Sequence, residues 1–525
     1  MIALLCFVLA VLAAPFKSKS RLEAENAALS VGCDFRCAFG GLAVGRRRRD
    51  RLRRVASFTV AICAVAMLLT GLEPLKAQET ASDDSRPKEE IRFRLYRWQE
   101  DYLWLSRKTE PLSDYERFKY IHLGDAPTNY FSLGGELRYR YDGYNPYLFG
   151  LTANGKPFGS NQERMFLHND LHLTEYFRAF VQFDTAAEAG RPVQRAYDKS
   201  APDLRQAFGD LILPTGAGTT TLRFGRQELW LGPSRWLAVR DPTNLRRSFD
   251  GALLEYRDDV FIFRGFAAQA VLINPGLFDD STSASEAFRG FYLRTRRAFS
   301  LPVNVDLYLL DKQLDRVTYA RGIGREDRWT GGARAAGKLA SLDYTIEGAY
   351  QFGTFGSADI SAWGFFADVS RTFKGFGVTP RFGLRSHYAS GDRNLKEPTL
   401  RTFSAPYPAA SVISEMSLLS VSNAFNLQPY VQLTLPYNLV LGANWNWVWK
   451  ATAADSVYGP IGTLITAPNS PASTVAQIGQ VDVTWDVTRF LQVHALYAHI
   501  FAGDYIKAAK GVDFDYYRLQ IMTRF

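Results

Sequence analysis

Apolar and polar residues alternate along most of the chain after residue 130, where no segment keeps a helical period for three turns. In the first clear segment, Leu137, Tyr139 and Tyr141 occupy one face, and the other face carries Glu136, Arg138, Arg140 and Asp142. Similar alternation recurs at 342–351, 378–387 and 439–447. Strands in soluble proteins average about five or six residues, whereas a tilted strand that crosses a bilayer needs about nine to eleven. The length of these segments therefore favours membrane strands over a soluble sandwich.

Connection lengths support the same interpretation. Eighteen strands are predicted to begin near residues 131, 163, 176, 205, 219, 250, 260, 287, 302, 328, 341, 361, 377, 425, 438, 475, 490 and 514. Every second connection is short, and the alternate ones are rich in Gly, Pro, Ser and Asn and include 143–161, 186–204, 231–248, 390–424 and 452–474. Short periplasmic turns and long extracellular loops are typical of outer-membrane barrels. The prediction is an all-β, transmembrane antiparallel β-barrel of about 18 strands over residues 131–525, in the outer membrane of a Gram-negative bacterium.

The C-terminus agrees with this prediction. The last strand alternates through Tyr517, Leu519 and Ile521 and ends on Phe525. A terminal aromatic residue on an alternating strand resembles the signal that outer-membrane insertion machinery reads. That machinery and the outer-membrane lipids are therefore expected partners.

The first part of the chain has a different composition. A basic cluster at 46–54 precedes an apolar run at 55–69, and the pattern predicts a signal peptide over 46–77 that is cleaved after Ala77. A retained membrane anchor is the alternative, although the run is shorter than the about 20 residues that a spanning helix needs. Residues 1–45 are interpreted as a mis-called upstream start. Residues 78–130 are expected to form a partly disordered periplasmic segment, with a helix near 99–107.

Charge and cysteine content exclude several classes of protein. Residues 1–77 hold 12 basic and 5 acidic residues, so the remainder, with 50 basic and 48 acidic residues, is almost neutral. A nucleic-acid partner is therefore not expected. All four cysteines precede residue 64, which excludes a disulfide scaffold, a cysteine metal site or a cysteine nucleophile from the main body.

Several stretches of the chain carry recognisable motifs. LRFGRQEL at 222–229 is followed by RDPTNLRRSFDG at 240–251, and further motifs lie at 92–102, 115–123 and 133–138 and at Ser390-Gly391-Asp392, Thr402-Phe403 and Pro406-Tyr407-Pro408. These stretches resemble the alginate export family of outer-membrane proteins. The first two resemble its most specific block, and those between 92 and 138 are similar to its N-terminal entry and first strand. The resemblance covers about residues 91–525. It implies a β-barrel whose arginine-rich constriction selects a polymer, and it leaves the substrate open.

The polar strand faces suggest which residues contact such a polymer. A chain of uronic acids carries a carboxylate on each sugar, and arginine binds carboxylates through two parallel hydrogen bonds. Acids that compete for the same arginines keep binding weak enough for release. The predicted lumen and constriction residues are Arg138, Arg140, Arg223, Arg226, Arg240, Arg246, Arg247, Arg381, Arg385, Arg518, Arg524, Glu136, Asp210, Glu255 and Glu347. Arg–Glu ladders that only satisfy one another are the alternative for any single residue of this set.

Enzymatic chemistry is not expected. His168, Asp170 and His172 share one predicted strand face, but strand residues four apart lie about 13 Å from each other, too far to bind one metal ion. No serine lies in a recognisable nucleophile motif. The sequence therefore predicts no catalytic residue, no metal site and no cofactor.

Three functions remain open at this point. The leading hypothesis is an anion-selective channel that exports an anionic, uronic-acid exopolysaccharide such as alginate, with a periplasmic secretion scaffold as a further partner to consider. The second is a general porin that takes up anions or oligosaccharides. The third is a structural or adhesive barrel with a closed lumen.

Overall fold

The computed structural model describes residues 91–151, 155–295, 303–375, 377–409, 411–459, 464–467 and 470–525. The predicted upstream piece, the predicted signal peptide and the first residues of the predicted periplasmic segment lie outside the described residues. So do all four cysteines.

Antiparallel strands form the wall of a closed barrel in the described part of the chain. They are β1 (Tyr130–Asn145), β2 (Phe158–Leu173), β3 (Phe177–Ala189), β4 (Ser200–Thr215), β5 (Gly218–Gln227), β6 (Phe249–Arg257), β7 (Phe261–Leu272), β8 (Ser281–Thr295), β9 (Val303–Tyr319), β10 (Gly322–Leu339), β11 (Leu342–Phe355), β12 (Ala358–Thr372), β13 (Thr379–Ala389), β14 (Ala424–Leu435), β15 (Leu439–Trp449), β16 (Thr474–Asp486), β17 (Leu491–Ala502) and β18 (Phe514–Arg524). Each pairs with its neighbour in sequence, and β18 pairs with β1, which closes the sheet. The predicted all-β barrel of 18 strands is confirmed.

Strand positions match the prediction best at the periplasmic ends. On the extracellular side, β2, β4, β8 and β10 begin five or six residues earlier than predicted. These extensions are rich in Gly, Ser and charged residues. They pair at the extracellular ends of the strands, outside the hydrocarbon layer, where the outer face need not be apolar. Because their composition resembles that of loops, the sequence pattern underestimates their length.

The two faces of each strand differ as a membrane barrel requires. On β18, Tyr517, Leu519 and Ile521 point outward and are 46%, 44% and 43% exposed. On β1, Glu136 and Arg138 point inward and are almost fully buried. The barrel therefore presents an apolar outer wall and a polar inner wall.

Shorter elements accompany the 18 strands of the wall. Two helices, α1 (Asp114–Lys119) and α2 (Asp504–Ala508), are accompanied by 3₁₀ turns at Arg97–Gln99, Leu103–Arg107 and Leu148–Gly150 and by short strands at Ile121–His122, Thr399–Leu400, Val457–Tyr458 and Leu464–Ile465. In the region predicted to be helical near 99–107, the structure places the first two 3₁₀ turns. Among the described residues, no helix is long and apolar enough to cross a membrane.

Residues 91–123, here called the N-terminal segment, contact the inner wall at its periplasmic end. The Arg97 guanidinium donates hydrogen bonds to the carbonyl oxygens of Gly135 (2.8 Å) and Phe525 (3.0 Å). The Trp98 carbonyl accepts a hydrogen bond from Arg178 near the first turn of the barrel. The segment therefore reaches into the barrel from the side where both ends of the wall meet.

Cysteine labelling tests the orientation of the barrel. Lys156 and Lys396 are exposed in extracellular loops, and Ala217 is exposed in the short turn between β4 and β5. A membrane-impermeant maleimide added to intact cells should label Lys156→Cys and Lys396→Cys but not Ala217→Cys. All three should react in lysed cells. Labelling of Ala217→Cys in intact cells would mean that the barrel is inverted or that the strand order is wrong.

Candidate constriction site

Two loops fold into the barrel and meet. Residues 228–248, here called the constriction loop, connect β5 to β6, and residues 390–423, here called the long loop, connect β13 to β14. Leu237 and Tyr407 pair as a parallel bridge. The amide of Ala238 donates to the Tyr407 carbonyl (2.9 Å), and the amide of Tyr407 donates to the Trp236 carbonyl (2.9 Å). These backbone hydrogen bonds make the two loops one unit inside the barrel.

The constriction loop is attached to the β1–β2 wall through its backbone carbonyls. Arg138 donates to the carbonyl oxygens of Thr243 (2.7 Å) and Asp241 (3.1 Å). Arg164, on β2, also donates to both carbonyls. Arg140 donates to the Pro242 carbonyl. Arg138 and Arg140 thus lie on the inner face, as predicted, but their guanidinium groups hold the loop.

Asn244, in the RDPTNLRRSFDG motif, attaches the constriction loop to three neighbouring segments. Its side chain is fully buried, and its amide nitrogen donates to the carbonyl oxygens of Glu163 (3.1 Å), Ala187 (2.9 Å) and Asp198 (2.9 Å). The three acceptors lie on β2, on β3 and in the β3–β4 loop. An asparagine amide at this position therefore connects the constriction loop to two strands and to a neighbouring loop.

Most of the predicted arginines are paired with carboxylates. Seven of the eleven form ion pairs, which are Arg140–Asp142 (3.1 Å), Arg223–Asp210 (2.7 Å), Arg226–Asp250 (2.8 Å), Arg246–Asp241 (2.6 Å), Arg385–Asp368 (2.9 Å), Arg518–Asp142 (3.1 Å) and Arg524–Glu136 (3.4 Å). The predicted acids are paired as well. Glu136 also binds Arg164 (2.5 Å), Glu255 binds Arg264 (2.5 Å), and Glu347 binds Arg235 and the Tyr308 hydroxyl. These residues form ladders along the wall.

The interpretation of Arg226 as a constriction residue is wrong. Arg226 shares the outward face of β5 with Leu222 and with Phe224, which is 60% exposed, and it pairs with Asp250 on the outward face of β6. Arg223 is three residues before Arg226 on the same strand, so its side chain faces inward. The period of two already places Arg226 outside, and its proximity to the constriction loop was misleading.

Arg240 and Arg247 differ from the paired arginines. Arg240 lies over the Tyr197 ring, 4.1 Å from its centroid, and Arg247 lies over the Tyr407 ring at 4.5 Å. Among the described residues neither guanidinium forms an ion pair, and Nε of Arg240 and Nη1 of Arg247 have no hydrogen-bond partner. Both side chains are partly exposed. The constriction loop thus presents two cations whose hydrogen-bonding capacity is not used by the protein.

The backbone directs Arg240 toward this position. Arg240 adopts a φ of 60°, in the left-handed region that residues other than glycine rarely occupy. Its carbonyl accepts hydrogen bonds from the amide (3.1 Å) and the hydroxyl (2.8 Å) of Thr243. The turn that this pair closes keeps the strained residue in place.

A third cation lies beside Arg247. The Lys312 ammonium, on β9, is 4.0 Å from the centroid of Tyr407 and donates to the Pro406 carbonyl (2.8 Å). It also pairs with Glu286 at 3.3 Å. Tyr407 is therefore bordered by two cations and one carboxylate. Lys312 was missed in the sequence, although it lies on the inward face of a predicted strand.

Burial changes the ionisation of the loop residues in opposite directions. Burial and the nearby Arg247 lower the pKa of Arg240 to about 9, so its guanidinium is still charged at neutral pH. Burial alone would raise the pKa of Asp241, but Arg246 and Arg164 hold that pKa well below its usual range. Burial raises the pKa of Glu228 to about 7, partly opposed by Arg246. The constriction loop is therefore positively charged at neutral pH near Arg240 and Arg247.

The remaining predicted cation, Arg381, bonds to the Ser370 hydroxyl (2.8 Å) on the inner wall. The sequence prediction did not include two other inward cations, Arg164 and Arg235. Arg164 lies on β2, and Arg235 lies in the constriction loop. Period-two alternation on β2 would have found Arg164. Only the folded loop reveals Arg235, because loops carry no such period.

One group of three carboxylates has its oxygens within 4.8 Å of one another in the described part of the chain: Asp203, Asp279 and Asp280. Asp203 accepts hydrogen bonds from the amides of Asp279 (2.8 Å) and Asp280 (3.0 Å), and Arg205 pairs with Asp280 at 3.0 Å. These contacts account for the group without a metal ion. His168 stacks on Phe180, and His172 contacts Asp170 at 3.2 Å.

Comparison with known families identifies the barrel. The alginate export family matches residues 129–519. The chain belongs to this family. The alginate export family comprises outer-membrane channels, which are transport proteins, so the barrel is a porin-like channel of the bacterial outer membrane. A comparison with curated protein sequences finds no match.

Solved structures similar to this member of the alginate export family are outer-membrane channels of 11–13% identity. OccK9 (OpdG) of Pseudomonas aeruginosa has a TM-score of 0.52 at 13% identity, and 75% of this chain covers 98% of it. OccK2 (OpdF) of the same species, solved in complex with glucuronate, has a TM-score of 0.51 at 12% identity with the same coverage. P. aeruginosa OpdK with vanillate also has a TM-score of 0.51, at 13% identity with the same coverage. At these identities the likeness shows a shared barrel fold.

Proposed function

We propose that the protein exports an anionic, uronic-acid exopolysaccharide such as alginate across the outer membrane. The observation that carries the proposal is the pair Arg240 and Arg247, two partly exposed arginines that form no ion pair in the described structure. They belong to a loop that is attached to the inner wall of a channel of the alginate export family.

The chemistry of the two arginines suits a uronate chain. A guanidinium donates two parallel hydrogen bonds to a carboxylate and does not lose its proton at physiological pH. The rings of Tyr197 and Tyr407 lie against Arg240 and Arg247, so a flat apolar surface adjoins each cation. A sugar acid presents a carboxylate beside an apolar ring face, which matches this arrangement of cation and aromatic ring.

Release is as necessary as binding in a channel. Elsewhere on the inner wall, arginines such as Arg223 and Arg385 are engaged by Asp210 and Asp368. A carboxylate that leaves the constriction meets cations already occupied by acids, so it is held weakly. Two unpaired arginines at the constriction and paired arginines elsewhere on the wall therefore favour transport of the anion over its tight binding.

A second candidate function is uptake of small organic anions. It is favoured by the similarity in fold to OccK2 in complex with glucuronate and to OpdK with vanillate. Both ligands are carboxylates, and one is the monomer of a uronate chain. Uptake of a monomer and export of a polymer require the same charge at the constriction, so charge alone does not separate them.

Single-channel recording in planar bilayers tests the proposal. The channel should select anions, and polyuronate added at low salt should block its conductance, with the block weakening as salt rises. Neutral dextran of equal length should block much less. Cation selectivity, or indifference to polyuronate at low salt, would contradict the export of an acidic polymer.

A flux assay separates export from uptake. Liposomes that contain the protein and are loaded with polyuronate should release the polymer if the channel serves export, and should retain it while admitting glucuronate if the channel serves uptake. Retention of polyuronate combined with rapid glucuronate flux would favour the uptake channel. The complete absence of openings in bilayers would favour a closed, structural barrel.

A further inference from the structure

Polar residues interrupt the aromatic belt on the outer wall of the barrel. The belt itself includes Trp329, Tyr350 and Trp363 on β10–β12, which face outward near the extracellular end, where an aromatic belt meets the lipid headgroups. Tyr350 lies eight residues from the first residue of β11. At the same distance from the first residues of β7 and β9 lie Gln269 and Asp311. The aromatic belt is therefore interrupted by polar residues.

This polar sector surrounds a cleft of about 380 Å³ in the outer wall. Gly251, Ala267 and Ala287 line it with little bulk, and its polar lining residues are Asp250, Gln269, Arg289, Asp311 and Gln313. Arg289 is 58% exposed and donates to Oδ2 of Asp311 at 2.8 Å. Lipid tails do not suit such a lining, which instead favours water or a polar ligand.

Two carboxyl groups lie on neighbouring strands beside the cleft. Asp327, on β10, pairs in register with Gln313, which is two residues from Asp311 on the same outward face of β9. The Asp311 side chain is 1% exposed, and Oδ1 of Asp311 and Oδ1 of Asp327 are shielded from solvent and have no hydrogen-bond partner among the described residues. Two carboxylates on one face of neighbouring strands repel each other, and their shielded oxygens are unsatisfied unless a proton or a cation binds there.

We propose that Asp311 and Asp327 bind a divalent cation such as Ca²⁺ on the outer wall of the barrel. Carboxylate oxygens are the ligands that Ca²⁺ and Mg²⁺ prefer. The side-chain oxygen of Gln313 is close enough in the strand register to contribute, because Gln313 pairs with Asp327 and donates to Asp311 (3.2 Å). The adjoining cleft leaves room for water or phosphate oxygens to complete the coordination shell.

Terbium luminescence tests this proposal. Trp329 pairs in register with Asp311 and lies two residues from Asp327, so it can transfer excitation to a Tb³⁺ ion bound there. The full chain in phosphatidylcholine nanodiscs, stripped of metals with a chelator, should give Trp-sensitised emission that Ca²⁺ competes away. Asp311→Asn and Asp327→Asn should each raise the half-saturating Tb³⁺ concentration at least tenfold.

Three further variants make the result specific. Arg289→Gln removes a neighbouring positive charge and should lower the half-saturating concentration several-fold. Trp329→Phe should lose the emission but keep Ca²⁺ binding in calorimetry. Asp279→Asn combined with Asp280→Asn removes the other carboxylate group and should leave the Trp329 signal intact. The heat-dependent shift of the barrel on electrophoresis confirms that each variant is folded.

The outcomes that overturn the proposal are distinct from a failure of the export function. Equal Tb³⁺ titrations for the unmodified protein and both asparagine variants would exclude the site. A protonated-carboxyl infrared band that disappears in Asp327→Asn, without any metal uptake, would show that the two groups share a proton instead. Channel conductance is not involved in either measurement.

Discussion

Replacing both Arg240 and Arg247 by glutamate should convert an anion-selective channel into a cation-selective one. Neither guanidinium forms an ion pair in the described structure, and only Glu286, near Arg247, offsets part of their charge at the constriction. A unit charge about 6 Å from a permeating ion, at an effective dielectric constant of about 40, changes the ion's energy by roughly 1.4 kcal/mol. Reversal of two charges should therefore shift the ratio of anion to cation permeability by well over about tenfold, measured as a reversal potential in a salt gradient.

Matched variants separate charge from shape. Arg240→Lys combined with Arg247→Lys keeps both charges and should preserve anion selectivity while weakening block by polyuronate, because lysine lacks the two-pronged geometry of arginine. Arg226→Gln changes an arginine of the outer wall and should leave selectivity unchanged. If the double glutamate variant inserts and keeps the selectivity of the unmodified protein, the constriction lies elsewhere.

Arg246 is excluded from this test for a structural reason. It binds Asp241 at 2.6 Å and the Leu95 carbonyl at 2.9 Å, and it lies 3.7 Å from Glu228. Removal of Arg246 would leave the buried Glu228 without its ion-pair partner and Asp241 with Arg164 alone, and breaking a buried pair costs several kcal/mol. An effect of Arg246 variants on conductance would therefore report on the position of the loop and not on selectivity.

Replacing Arg97 by alanine should release the N-terminal segment and increase conductance several-fold. Arg97 is 3% exposed and binds the carbonyls of Gly135 and Phe525 together with Glu100 at 2.6 Å. Hydrogen bonds to a charged group contribute about 1.5–3 kcal/mol each, and the substitution also leaves Glu100 without its cation. Residues 91–107 should then leave the barrel mouth and become sensitive to protease added on the periplasmic side.

Arg117→Ala is the matched control, because Arg117 belongs to the same segment but is 67% exposed and pairs only with an exposed aspartate. It should alter neither conductance nor proteolysis. Contacts between the segment and the constriction loop strengthen the test, since the Tyr96 ring stacks on Trp230 at 5.2 Å and its hydroxyl bonds to Ser234. Unchanged conductance in Arg97→Ala, with a folded barrel, would mean that the segment does not restrict the pore.

The sequence alone was sufficient for the wall of the barrel. Each strand must present one face to lipid and one to the interior, so a period of two over nine or more residues identifies both the strand and its inward residues. That is why the strand count, the orientation of β18 and the inward positions of Arg223, Arg385 and Glu347 could be predicted. The prediction for Arg226 is wrong because it rests on the proximity of this residue to the constriction loop and not on the alternation of the strand.

Only the tertiary structure decided what each inward residue does. Charged residues on neighbouring strands neutralise one another according to the register, which pairs Arg223 with Asp210 and leaves no sign in either segment alone. Loops have no period, so their path across the interior depends on contacts such as those of Asn244 with carbonyls on two strands and a loop. The path of the constriction loop leaves Arg240 and Arg247 without ion-pair partners. The charge available to a substrate comes from such residues, because the other inward arginines are neutralised by carboxylates of the folded chain.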